Sequence, residues 1–174
     1  FVVDIDIKGF FDNVDHGKLL KQLWTLGIRD KQLLCILSKM LKAPIQGEGV
    51  PAKGVPQGGI LSPLLSNVVL NELDWWISSQ WGTFPTKTNY AHDLSRYQNL
   101  RRTSRMKEVF IVRYADDFKL FCKCRSDAER LFAAATMWLK ERLALEISPE
   151  KSKIVNLKKG YSDFLGFKLK LRPK

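Results

Sequence analysis

Residues 109–122 read VFIVRYADDFKLFC, with two aspartates side by side between two apolar runs. Runs of β-branched and aromatic residues broken by so short a gap predict two antiparallel strands joined by a tight turn, with Ala115 and Asp116 near its tip. A lone strand pair is barely stable in water, so this stretch commits the chain to a larger sheet with a covered face. It also concentrates like charge. Taken alone, Asp116-Asp117 is explained by a solvated turn. A second acidic strand changes the balance. In FVVDIDIKGFF, Phe1, Val3, Ile5 and Ile7 alternate with Val2, Asp4, Asp6 and Lys8, a period of two that puts both acids on one face.

Between these strands the pattern is helical. Leu19, Leu20, Leu23 and Trp24 recur at helical spacing up to Gly27, a helix stop. Asp30 can cap a second helix, whose Leu33, Leu34, Leu37, Met40 and Leu41 form an apolar stripe ending before Pro44. Both helices are expected to be plain core elements. Residues 44–59, PIQGEGVPAKGVPQGG, predict a hairpin or irregular loop. Ser62-Pro63 reads as N-cap and first helical position of a helix through Leu65, Val69, Leu73, Trp76 and Ile77.

From 81 to 107 the periodicity collapses, and six Lys/Arg stand against a single Asp, with Tyr90 and Tyr97 interspersed. An exposed basic insertion is expected, either solvated or in contact with RNA. Ser126 and Glu129 have capping-box spacing before a helix carrying Leu131, Phe132, Ala135, Trp138 and Leu139. Two strands, around 153–157 and 163–171, close the chain, with Gly160 turning between them. The order predicts an α+β domain: an antiparallel sheet with helices packed on one face.

With 174 residues, 45% of them hydrophobic, the chain can bury one core, alone or with an appendage. Its 29 Lys+Arg against 18 Asp+Glu, a net charge of +11, favour nucleic acid as partner over a membrane surface. Cys35, Cys122 and Cys124 have neither disulfide-framework nor zinc spacing, and Cys122 and Cys124 read as core thiols of a reducing compartment. No apolar run approaches the ~18 residues of a membrane span, and no targeting signal is visible; the expected location is a bacterial cytoplasm or an organelle. A buried strand is an odd N-terminus, so a piece of a longer protein is expected.

Gathering several carboxylates at one place is costly unless something neutralises them. A divalent cation does so, and Mg²⁺ is usually held by one or two protein carboxylates plus substrate phosphates and water. Two such ions clamp the attacking and leaving oxygens of phosphoryl transfer.

FVVDIDIKGFFDNVDH, GVPQGGILSPLLSNVVLNELD, VRYADDFKLFC, LEISPEKSKIV and DFLGFKL occur in this order. Together they resemble the palm of a reverse transcriptase, most closely the group II intron-encoded type, over nearly the whole chain except 81–107. The resemblance implies a polymerase palm-like sheet and RNA-directed DNA synthesis with two Mg²⁺ ions, Mn²⁺ being a substitute. It assigns metal binding to Asp6, Asp116, Asp117 and the Ile7 carbonyl, and leaves the role of Asp4 open. Phe11, with Phe10 as the other choice, would pack under the incoming sugar, and Gln57 would contact the nucleotide. Lys151, rather than Lys153, would protonate the leaving pyrophosphate.

Tyr114, Gly58, Gly59, Leu165 and Gly166 would meet nucleic acid, the last two as the turn that grips the primer end. The partners implied are an RNA template, intron RNA, a DNA primer or target, and dNTPs. Relatives carry a fingers region before this stretch and a thumb after it, so the 174-residue chain alone is expected to be weakly active or inactive. A non-catalytic RNA-binding maturase scaffold and a retron or CRISPR-associated reverse transcriptase are the alternatives. The intact QGGILSP stretch favours the intron type, and the retained acids oppose the scaffold.

Overall fold

The computed structural model describes residues 1–45, 47 and 49–172; Gln46 and Glu48 of the predicted loop, and Pro173 and Lys174, lie outside the described residues. The first strand, β1 (Val2–Ile5), is followed by three helices, α1 (Phe10–Asn13), α2 (His16–Thr25) and α3 (Lys31–Leu41). A long helix α4 (Ser62–Ser79) and a shorter α5 (Asp93–Thr103) precede the hairpin β2 (Val109–Tyr114) and β3 (Asp117–Cys122). Helix α6 (Arg125–Trp138), extended by a wider turn over Leu139–Leu143, leads to β4 (Lys153–Val155), β5 (Ser162–Phe164) and β6 (Phe167–Leu169).

The sheet has the order β2-β3-β1-β4 and is antiparallel throughout. Its register sets Val3 opposite Leu120, Asp4 opposite Lys119 and Ile5 opposite Phe118. One face follows directly from the period of two. Val3, Ile5, Phe118 and Leu120 join Leu70, Leu73, Ala135 and Leu139 in the core, with α4 against β2 and α6 against β1 and β3. The other face carries Asp4 and Lys119, and the separate β5–β6 hairpin reaches it through Ser162. The expected α+β palm-like sheet with helices on one face is what forms. No helix among the described residues is long and apolar enough to cross a membrane.

Several local expectations are corrected. Residues 163–171 are not one strand: Leu165 (φ +51°) and Gly166 (φ +81°) turn the chain between β5 and β6. Two positive φ values in a two-residue connection match the twist of a hairpin. Ser62 is the first helical residue rather than the cap, because its hydroxyl donates to the Pro56 carbonyl. The 126–129 capping box does not form: Glu129 pairs with Arg125 at 2.8 Å, and Cys124 takes the N-cap position with its Sγ against Asp127 at 2.9 Å.

On α3 only Leu37 and Leu41 are buried; Leu33, Ile36 and Met40 are exposed, so that helix is peripheral rather than a core element. Cys122 fits a core thiol better, since burial pushes it up to about 11. The 81–107 stretch is not a bare loop. Helix α5 buries Leu100 and is docked by Tyr97, which stacks on the fully buried Trp81 and meets Phe110 edge-on. Its periodicity was invisible because its apolar anchors are only Tyr97 and Leu100, with Arg96 tying the helix to the Gly82 carbonyl.

Candidate active site

Strand β1 delivers Asp4 and, one residue past its end, Asp6. The β2–β3 turn delivers Asp116 and Asp117 from 110 residues further along the chain. All four border one cleft of about 250 Å³, together with Lys151 and Lys153. The segment before β4 is fixed beside Asp6, whose amide donates to Ser152 Oγ (3.1 Å) and whose carbonyl accepts from Ser148 N (2.8 Å). Those bonds bring Lys151 to the cleft.

The acids are not equivalent. Asp4 is satisfied inside the protein: Lys119 Nζ and Ser162 Oγ both reach Oδ1 at 2.9 Å, and Ser162 reaches Oδ2 at 2.9 Å as well. Among the described residues, the carboxylates of Asp6, Asp116 and Asp117 take part in no hydrogen bond or ion pair. Their oxygens are therefore open to a ligand from outside the chain, with Lys119, Lys151 and Lys153 in the same lining. Burial, opposed by Lys119 and reinforced by Asp4, Asp116 and Asp6, raises the Asp117 carboxyl above its ordinary value. A purely oxygen donor set with excess negative charge fits a hard divalent cation. Among the described residues no three His, Cys, Asp or Glu side chains already close on one point, and Mg²⁺ does not require a protein cage of that kind.

A stability prediction follows from the raised Asp117. Without metal, the folded state holds this proton more tightly than the unfolded chain, so stability falls as pH rises through the raised value. Asp117→Asn should raise the metal-free thermal midpoint at pH 7. The gain should vanish once the pH falls below the ordinary carboxylate range. A scan showing no gain at pH 7 would mean that neither burial nor the neighbouring acids disfavour the charged Asp117.

The remaining predicted residues are not in the lining of this cleft. Phe10 is core, while Phe11, edge-on to it at 5.3 Å, is only half-buried and is the accessible one of the pair. The Gln57 loop lies against α1: Val55 N donates to the Phe11 carbonyl and Gly54 N to the Val14 carbonyl, both at 2.7 Å, and Gln57 Nε2 reaches Asp12 Oδ1 at 3.4 Å. Gly54 is required for that approach, since at φ +98° a Cβ would sit 3.1 Å from the Asp12 carbonyl. Gln57 and Gly58 are exposed and Gly59 half-buried.

Ile7 is buried and bridges to Ile147. The bonds of that bridge come from Lys8 N and Asp6 O, on either side, so the Ile7 carbonyl takes no part in it. Tyr114 is exposed at the end of β2, opposite Asp117. Leu165 sits exposed in a left-handed conformation that disfavours a branched side chain. Sequence reasoning missed Lys119 and Ser162, and also Asp163, which borders the cleft from β5. Only the Asp4–Lys119 register exposes the first, and no local signal marks the others.

An antiparallel sheet with helices on one face, and acids from a central strand and a hairpin turn meeting at one end, defines the polymerase-palm class of α+β domain. The chain belongs to the reverse transcriptase family: the family described as "Reverse transcriptase (RNA-dependent DNA polymerase)", which generally uses divalent metals, matches residues 1–169. The protein YkfC of Escherichia coli K12 is 31% identical over 97% of this chain and 46% of its own length. The group II intron-encoded protein LtrA of Lactococcus lactis is 30% identical over 98% of the chain and 35% of its own. The chain thus spans less than half the length of these curated relatives. Among solved structures, a telomerase from Candida albicans superposes with a TM-score of 0.61 at 14% identity, over 97% of this chain and 29% of that one. That likeness concerns the fold.

Proposed function

We propose that this chain is the nucleotide-adding palm of an RNA-directed DNA polymerase of the group II intron-encoded type. The observation that carries the proposal is the meeting in one cleft of three carboxylates, Asp6, Asp116 and Asp117, that have no partner among the described residues. In this reading a primer 3′-hydroxyl attacks the α-phosphate of a dNTP, the new P–O bond forms, and pyrophosphate leaves. Asp6, Asp116, Asp117 and the Ile7 carbonyl would hold two Mg²⁺ ions. Bound there, the ions lower the pKa of the attacking hydroxyl and offset charge on the attacking and leaving oxygens.

The chain's own residues do the rest. Phe11 bounds the sugar site and disfavours a 2′-hydroxyl, with buried Phe10 supporting it from the core. Gln57 orients the nucleotide, held against α1 by the Gly54 approach. Lys151 stands in the cleft to give its proton to the departing pyrophosphate. Tyr114, the Gly58-Gly59 backbone and the Leu165-Gly166 turn line the path of primer and template. RNA template and intron RNA would also meet the basic residues of 81–107, with Arg102, Arg105 and Lys107 exposed along or beyond α5.

Primer extension on an RNA template by the full-length protein tests this reading. Chelation should abolish cDNA synthesis, Mg²⁺ should restore it, and RNA binding should survive chelation. Extension that persists in excess EDTA would remove the proposal.

A further inference from the structure

The turn that presents the acid doublet holds an awkward backbone. Ala115 has φ +52°, a left-handed conformation that disfavours any residue with a Cβ. Such a conformation persists only where the surroundings over-determine it. Here the surroundings are the β2–β3 pairing that closes the turn, Tyr114 opposite Asp117, and one side chain. Arg113 Nε and Nη2 meet the Asp74 carboxylate at 2.9 and 2.5 Å, a two-pronged pairing. The remaining nitrogen, Nη1, donates to Asn67 Oδ1 and to the Ala115 carbonyl, both at 2.8 Å. Arg113 thus grips the turn from two residues upstream. Its side chain is only 11% exposed.

Asn67 and Asp74 are seven residues apart on α4, two helical turns, so both point from one face toward β2. The same helix is tied at its start to the Gln57 loop. Ser62 Oγ donates to the Pro56 carbonyl, and Gly59 packs so closely that a Cβ would lie 2.8 Å from Ser62 Oγ. Loop, helix, guanidinium and turn form one continuous chain of bonds. We infer that Arg113, held by Asp74 and Asn67, is a positioning residue: it fixes the left-handed turn at Ala115 and sets the Asp116-Asp117 doublet in register with the Gln57 loop. This rests on the functional reading above. A plain stabilising ion pair would need Asp74 alone. The bond to the Ala115 carbonyl is what a positioning role adds.

Arg113→Lys keeps the charge but cannot serve three acceptors with a planar fork. In the full-length protein it should lower kcat by about 10–100-fold, as misplacement of reacting groups does. KM for dNTP and RNA affinity should stay within about twofold, while the Mg²⁺ concentration for half-maximal rate rises severalfold, because the misplaced groups are the metal-facing acids. Asn67→Ala, which leaves the ion pair intact, carries the test if Arg113→Lys does not fold, with kcat expected about threefold lower at an unchanged thermal midpoint. Unchanged kcat and Mg²⁺ dependence per folded molecule, in whichever variant folds, overturns the inference. Asp116→Ala run alongside separates the two claims. If it is inactive while Arg113→Lys is fully active, only the clamp fails; if it is itself active, the polymerase reading fails.

Discussion

Asp116→Ala should stop nucleotide addition almost completely while RNA binding and folding persist. Divalent cations supply several kcal/mol of transition-state charge stabilisation, and about 1.4 kcal/mol is a factor of ten in rate, so a loss of about 10³-fold or more is expected. The structure says why the fold should survive. Asp116 sits at the tip of a two-residue turn, outside the strands that pack the core, and no described residue bonds to its carboxylate. Removing it also removes one of the charges that push the Asp117 carboxyl up, so the thermal midpoint should hold steady or rise. Primer extension, RNA affinity and thermal melting on the same preparation check all three. If RNA affinity and melting fall together with activity, Asp116 is a structural residue and its place in the chemistry is lost.

What the sequence could announce here was whatever depends on period and local turn chemistry. The alternation of Phe1, Val3, Ile5 and Ile7 and the break at Ala115-Asp116 are local signals, and the strands lie where those signals put them. The meeting of Asp6 with the doublet was anticipated through the resemblance, while its cause is the antiparallel register of β1 and β3. Features that depend on register or on distant partners were not legible. Asp4 looked like a twin of Asp6, and only the pairing with Lys119 and the arrival of Ser162 from β5 separate them. The Ser126–Glu129 spacing failed as a cap because Arg125 competes for Glu129. On α3 an apolar stripe implied burial, yet periodicity records only which residues share a face and is silent on whether anything covers it. Membership of the reverse transcriptase family agrees with the motif order and leaves the roles of individual residues to experiment.

Lys119→Met should be the most destabilising single change among the residues around the cleft. Lys119 and Asp4 are 2.9 Å apart, with side chains 4% and 11% exposed, opposite each other on the two central strands. Removing one member of a buried pair strands the other charge, at a cost of about 3–5 kcal/mol. Lys119 also stands 5.4 Å over the Phe164 ring, so its loss loosens the β5–β6 hairpin as well. Replacing both partners by apolar groups, Asp4→Leu with Lys119→Met, should cost less than Lys119→Met alone, although the Ser162 hydroxyl then loses its acceptor, worth about 1–3 kcal/mol. Urea unfolding measures this as a shift in midpoint at constant slope. A Lys119→Met loss under about 1 kcal/mol would mean that water reaches the pair and screens it. The comparison with Asp6→Ala is what gives the measurement functional content. Among the described residues no partner meets the Asp6 carboxylate, so its variant should keep stability and lose synthesis, whereas the Asp4–Lys119 variants should lose stability first. Two acids two residues apart, bordering one cleft, then separate by what each one's removal costs: a stranded buried lysine for Asp4 and, on the proposed function, a metal ligand for Asp6.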